Sequence, residues 1–227
     1  MLMMALVAVM GVALVWLPRR WGNHGVTALA WGMALFMLGQ ELLDRVLHHT
    51  LMGDPWAEVL PFHLCGASVV LVPVLLLTRN YALFEVLYFW GIGGATAAIL
   101  TPDTGSHFPN LLYITYFTSH GLIVIGVVFA MVYFGFRPRA ASFMKATLGL
   151  FVYGVAVVPL NLLLDTNYLY LCRKPADATI IDFMGPWPGY VVWLAAVALA
   201  VFSMLYLPWA VQTRYHRHSR HDKYPIV

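Results

Sequence analysis

Apolar residues fall in runs along this chain, not in stripes. The runs cover approximately residues 2–17, 25–47, 59–78, 81–101, 111–135, 143–164 and 188–210. Each approaches the ~20 residues a helix needs to cross a hydrocarbon core about 30 Å thick, and none alternates polar with apolar as a half-buried strand would. The pattern therefore predicts an all-α, polytopic membrane protein, a bundle of about seven transmembrane helices. Composition agrees: 61% of the 227 residues are hydrophobic and 10% charged, against about 25% charged in a soluble domain. No segment is polar enough for a separate soluble domain. The chain divides into a membrane domain, residues 1–211, and a basic tail, residues 212–227. There is no internal repeat and no glycine pattern for a dinucleotide or phosphate, so no cofactor and no nucleic-acid partner is expected.

Charge orients the runs. Arg19 and Arg20, Arg79, the group Arg137, Arg139 and Lys145, and the tail residues Arg214, Arg217, Arg220 and Lys223 all fall on one side of a seven-span chain. The other loops are acidic or mixed, with Asp54, Glu58, Asp103, Asp165, Arg173, Lys174, Asp177 and Asp182. By the positive-inside rule the N-terminus is outside and the tail cytoplasmic, in a multi-pass protein of the cell membrane. The first apolar run carries its arginines after it, whereas a signal peptide carries positive charge before.

This orientation gathers the unusual residues in the outer half. His63, Cys65, His120, Asn161, Asp165 and the Thr101-Pro102-Asp103 turn all belong there. If Pro61 opens the third helix, Cys65 lies just past its first turn, where unpaired amides and the helix dipole favour a thiolate. His63 is two residues from Cys65 and points elsewhere on a helix, so a base has to come from another span. At 1.5 Å per residue Cys65 lies roughly 9 Å and His120 roughly 14 Å below their helix ends, a difference that tilts of about 20° absorb. Asn161 and Asp165 are four residues apart and share a helix face, which Tyr168 extends if the helix continues. Asn161 reads equally as interhelical glue or as part of a polar cavity beside a kink at Pro159. Glu85 is the polar exception in the inner half, while Glu41 and Asp44 approach the outer end of the second run.

Pro61-x-His63-Leu64-Cys65, Tyr88-Phe89-Trp90-Gly91-x-x-Gly94, Leu100-Thr101-Pro102-Asp103, Ser119-His120-Gly121, Thr166-Asn167-Tyr168-Leu169-Tyr170, Lys174-Pro175 and Gly185-Pro186-Trp187-Pro188 occur in this order. Together they resemble the transmembrane protein 164 family, whose bacterial members are called YwaF-type, over roughly residues 55 to 210. The resemblance implies a membrane acyltransferase that moves fatty acyl chains between phospholipid and lysophospholipid without coenzyme A. It implies Cys65 as the active-site cysteine and His120 as the matching intramembrane histidine. His63, Thr101, Asp103, Asn161, Asp165, Asn167 and Tyr168 are the expected substrate-binding or supporting residues. Cys172 departs from the pattern, which has a basic residue there.

Rival readings attach to the same residues. A disulfide between Cys65 and Cys172 would make the thiol structural. A zinc site of His63, Cys65, His120 and Asp103 has acceptable ligand types but no recognised spacing, and no metal is expected. A transporter lined by Glu41, Asn161 and Asp165 conflicts with an inner half almost free of polar groups. A non-catalytic lipid-binding protein leaves the thiol and imidazole unexplained. The tail reads as a contact for anionic lipid headgroups, and Trp16, Trp21, Trp56, Trp187, Tyr190 and Trp209 as interfacial anchors.

Overall fold

A computed structural model describes residues 2–16, 22–102, 104–175 and 180–221, with no side-chain detail beyond residue 213. Among these residues the protein is all-helical. The helices are α1 (Leu2–Trp16), α2 (Gly22–Leu47), the short α3 (Trp56–Val59), α4 (Leu64–Thr78), α5 (Tyr81–Leu100), α6 (Leu111–Tyr133), α7 (Ala140–Leu164) and α8 (Gly189–His221). A π-helical turn, His48–Met52, extends α2 and ends at the left-handed Gly53. Five helices, α2 with its extension and α5, α6, α7 and α8, are long and apolar enough to cross a membrane. The protein is a polytopic integral membrane protein.

The apolar runs fix which segments are helical, and local chemistry fixes where they stop. Asn80 accepts hydrogen bonds from the amides of Ala82 and Leu83 and opens α5; Asn110 does the same for Leu112 and opens α6. Such caps satisfy amides that a helix start leaves without carbonyl partners. The third run departs from expectation. Helix α4 begins at Leu64 with His63 extended before it, not at Pro61. Leu60, whose backbone is extended at ψ 150°, shows the restriction proline places on the residue before it, and so α3 ends at Val59. Helix α7 runs unbroken through Pro159. Helix α8 continues past the expected end of the membrane domain to His221.

Glycines let the central helices approach, as small residues do in membrane bundles. Helix α6 is the axis: a Cβ on Gly121 would overlap Val7 of α1, and one on Gly126 would overlap Val72 of α4. On α5, a Cβ on Gly91 would stand 2.9 Å from Ile123 of α6. The core is filled by Met33, Met37, Val69, Val72, Leu75, Phe84, Phe89, Ile123, Val127 and Phe129. Helices α7 and α8 pack outside α5 and leave most of their surface to lipid.

At the end of the bundle where α5 begins, Glu85 is almost fully buried and accepts a 2.8 Å hydrogen bond from Ser142 and a charge-assisted one from Lys145. The isolated acid of the sequence is thus a pinned ion pair joining α5 to α7. Nearby, Trp209 donates to the Tyr88 hydroxyl at 2.8 Å and Tyr88 donates to the Leu205 carbonyl at 3.0 Å, tying α8 to α5. Trp209, expected as an interfacial anchor, thus makes a structural hydrogen bond. Tyr190, expected as an interfacial anchor, is fully buried and donates to the Tyr170 carbonyl at 2.6 Å. Trp56 and Trp187 are exposed; the side chains of Trp16 and Trp21 lie outside the described residues.

Candidate active site

Cys65 is the second residue of α4. The first intrahelical bond at this end runs from the Ala67 amide to the His63 carbonyl at 2.9 Å, and His63 makes no side-chain cap. The amides of Leu64, Cys65 and Gly66 therefore precede the point at which helical pairing begins. Cys65 lies closer to its helix start than a Pro61 start would put it, directly among these amides. The chain before it folds back tightly: a Cβ on Gly66 would stand 3.0 Å from Pro61 Cα and 3.3 Å from an Arg45 nitrogen. Glycine is what the close approach requires. Cys65 and Cys172 are both free thiols, so the disulfide alternative does not describe this structure.

Four contacts set the depth of Cys65 against His120. Its sulfur would be 3.4 Å from a Cβ on Gly94 of α5. Helices α5 and α6 are antiparallel, with Gly91 against Ile123 and the Tyr116 hydroxyl donating to the Ala98 carbonyl at 3.1 Å. Both pairs fit one register, and in it Gly94 lies opposite His120. Helices α4 and α6 are parallel, with Val72 against Gly126, and the same offset carries Cys65 to the level of Ser119. Thiol and imidazole thus share one level of the bundle, without the difference of depth that counting from the helix ends implies.

His120 Nδ1 lies 2.7 Å from the Tyr116 carbonyl. A carbonyl only accepts, so Nδ1 carries the proton and the neutral ring keeps its lone pair on Nε2. The Tyr116 ring packs on the imidazole at a centroid distance of 4.3 Å. This arrangement fixes both tautomer and orientation, the second condition for a base after reach.

His63 forms part of the wall beside Cys65, with Tyr168 edge-on at 5.3 Å and Tyr170 tilted at the same distance. Tyr168 is buried, and its hydroxyl donates to the Ala57 carbonyl. Burial pushes the Tyr168 phenol above its ordinary value, which keeps it a neutral donor. The segment after α7 thereby folds over the start of α4.

Asn161 builds that segment. Its Nδ2 donates to the Tyr168 carbonyl at 3.0 Å, and its Oδ1 accepts from the Tyr168 amide at 2.8 Å and the Thr166 hydroxyl at 3.0 Å. Helix α7 stops at Leu164, and Asp165, exposed and left-handed at φ 52°, turns the chain. Asp165 and Tyr168 therefore do not continue the Asn161 helix face. Asn167 braces the next turn, accepting from the amides of Cys172 and Arg173 and donating to the Arg173 carbonyl. Thr101 is exposed and donates to the Ala97 carbonyl at the end of α5. Asp103 lies outside the described residues. Among the described residues, no three His, Cys, Asp or Glu side chains group to hold a metal.

With three bonds spent on one loop, Asn161 acts on stability first. Asn161→Ala is expected to lower stability by about 1–3 kcal/mol, the cost of leaving buried polar groups unpaired, with activity falling in parallel. Thermal unfolding and activity measured side by side check this; activity lost at unchanged stability would return Asn161 to the reaction.

Helix α2 carries a polar face that the apolar runs of the sequence conceal. Gln40 donates from Nε2 to the Thr115 carbonyl at 3.1 Å and to the Ser119 hydroxyl. The Thr115 hydroxyl donates to Asp44, and Arg45 pairs with Glu41. The signal was present as two spacings of four, Gln40 to Asp44 and Glu41 to Arg45, which set these residues on adjoining stripes of one helix.

A sequence model described as the TMEM164 family matches residues 1–206. A protein of Treponema pallidum (strain Nichols), described as uncharacterized, is 28% identical over 212 residues, covering 92% of this chain and 84% of that protein. No solved structure matches. These matches carry the transmembrane protein 164 part of the resemblance and not the YwaF-type label. With its motifs in order on a polytopic helical bundle, the chain belongs to the TMEM164 family.

Proposed function

We propose that the protein is a membrane phospholipid acyltransferase that works through a Cys65 thioester, with phospholipid as donor and lysophospholipid as acceptor. The observation that carries this reading is the shared level of Cys65 and a His120 whose tautomer leaves Nε2 as a base. His120 Nε2 takes the thiol proton, and the thiolate attacks a phospholipid ester carbonyl. The ester C–O bond breaks, the departing alkoxide takes the proton from His120, and a lysolipid leaves. The acyl group then sits on sulfur. An acceptor hydroxyl gives its proton to His120 and attacks the thioester; the C–S bond breaks and the thiolate is reprotonated. The amides of Leu64, Cys65 and Gly66 are the donors assigned to the developing oxyanion, since the Asn161 amide is already engaged.

The test is intact mass spectrometry of purified full-length protein after incubation with phospholipid. An acyl adduct on Cys65 that hydroxylamine removes is expected. A protein that remains unmodified while exchanging no acyl chains is a lipid-binding protein or a transporter instead.

The reading includes a topology: seven spans, the N-terminus and the catalytic level outside, the tail inside and against anionic headgroups. A C-terminal alkaline phosphatase fusion is expected to be inactive in a bacterial host. Activity of that fusion reverses the orientation and moves the site to the cytoplasmic leaflet.

A further inference from the structure

Two polar atoms beside the Cys65 level are buried without a partner among the described residues. They are Gln40 Oε1, an acceptor, and Arg45 Nε, a donor. Gln40 is itself 9% exposed, and its amide nitrogen is anchored on α6 by Thr115 and Ser119. Because the carboxamide is planar, that anchoring turns Oε1 to the opposite corner, away from those two residues. Ser119 precedes His120, and the register of α4 on α6 puts Ser119 level with Cys65. Arg45, five residues along α2, reaches the first turn of α4 at Gly66 and is held from one side by Glu41. A buried polar atom away from water is costly unless it finds a partner.

An orphan acceptor at the thiol level and an orphan cationic donor near the start of α4 are complementary to one kind of molecule. It carries a hydroxyl and, several bonds away, an anionic phosphate diester. A lysophospholipid has this pattern: a free glycerol hydroxyl, then the phosphate. We propose that Gln40 and Arg45 form the acceptor-lipid subsite, Gln40 Oε1 accepting a hydrogen bond from the glycerol hydroxyl and the Arg45 guanidinium holding the phosphate. This deepens the acyltransferase reading and rests on it for the site's chemistry. The subsite orients the hydroxyl toward the acylated Cys65 and rejects a lipid that has no hydroxyl to offer, since Gln40 is then left unpaired. The hydroxyl has one proton, which lies on Gln40 Oε1 while the lipid binds and turns to His120 Nε2 for the transfer, so both residues position substrate and neither takes the proton.

The experiment measures binding in the absence of turnover, so that it stands apart from the catalytic claim. Full-length Cys65→Ala protein in detergent micelles is titrated with 1-O-alkyl-2-hydroxy-glycerophosphocholine and with its 2-deoxy analogue. The hydroxyl lipid is expected to bind at least tenfold more tightly. Adding Gln40→Met removes the discrimination while leaving affinity for the deoxy lipid unchanged. Adding Arg45→Lys, which keeps the charge and loses Nε–H, weakens both lipids equally. Equal binding of the two lipids to the Gln40 protein overturns the proposal, whether or not the Gln40→Met protein folds. So does discrimination that survives Gln40→Met, or failure of the hydroxyl lipid to bind. An acyl adduct that never forms on wild-type Cys65, with the discrimination intact, overturns the acyltransferase reading and leaves the subsite standing.

Discussion

Cys65→Ser is expected to lose at least about 100-fold in acyl transfer, and His120→Ala a comparable amount, in the range that positioned proton transfer contributes. A serine hydroxyl at the start of α4 keeps the size of the thiol but is much harder to ionise. The His120 imidazole at its level is held through Nδ1 by a backbone carbonyl and not by a carboxylate. The two residues serve one step, so the double mutant is expected to be little worse than either single mutant. Cys172→Ser is expected to keep near-normal activity, since Cys172 sits in the loop braced by Asn167. Rates of labelled acyl transfer to lysolipid measure all four variants. Full activity in Cys65→Ser removes the thioester from the mechanism.

Gly126→Ala is expected to destabilise the bundle by about 1–3 kcal/mol, the usual cost of forcing extra carbon into a packed core. The added Cβ would overlap Val72 Cγ1, and Val72 is fully buried with no room to retreat. The same contact sets the offset of α4 on α6, which carries Cys65 to its level. Activity should therefore fall beyond the loss of folded protein. Val72→Ala removes the colliding atom, so the pair Gly126→Ala with Val72→Ala should recover much of the midpoint. Thermal unfolding in detergent, followed with activity per folded molecule, checks both parts. A Gly126→Ala protein that melts with the wild type would show that this contact does not set the register.

The sequence by itself determined that this chain is an all-helical membrane protein, because burying apolar runs near 20 residues long in lipid leaves helical hydrogen bonding as the way to satisfy the backbone. It also drew attention to one end of the molecule, since Cys65, His63 and His120 are polar groups in segments otherwise rich in apolar residues. Tertiary structure decided the rest. Whether Cys65 and His120 share a level depends on which side chains α4, α5 and α6 press into Gly94, Gly91 and Gly126, and counting residues from predicted helix ends has no access to that register. Asn161, inside α7, spends its side chain on the loop that follows, because α7 ends one residue before Asp165 and Tyr168 folds back to meet it. Gln40 and Arg45 were ordinary polar residues of a helix end until α2 packed against α4 and α6. Burial then removed the water that would have satisfied Gln40 Oε1 and Arg45 Nε, and only the fold shows which groups are left in that state.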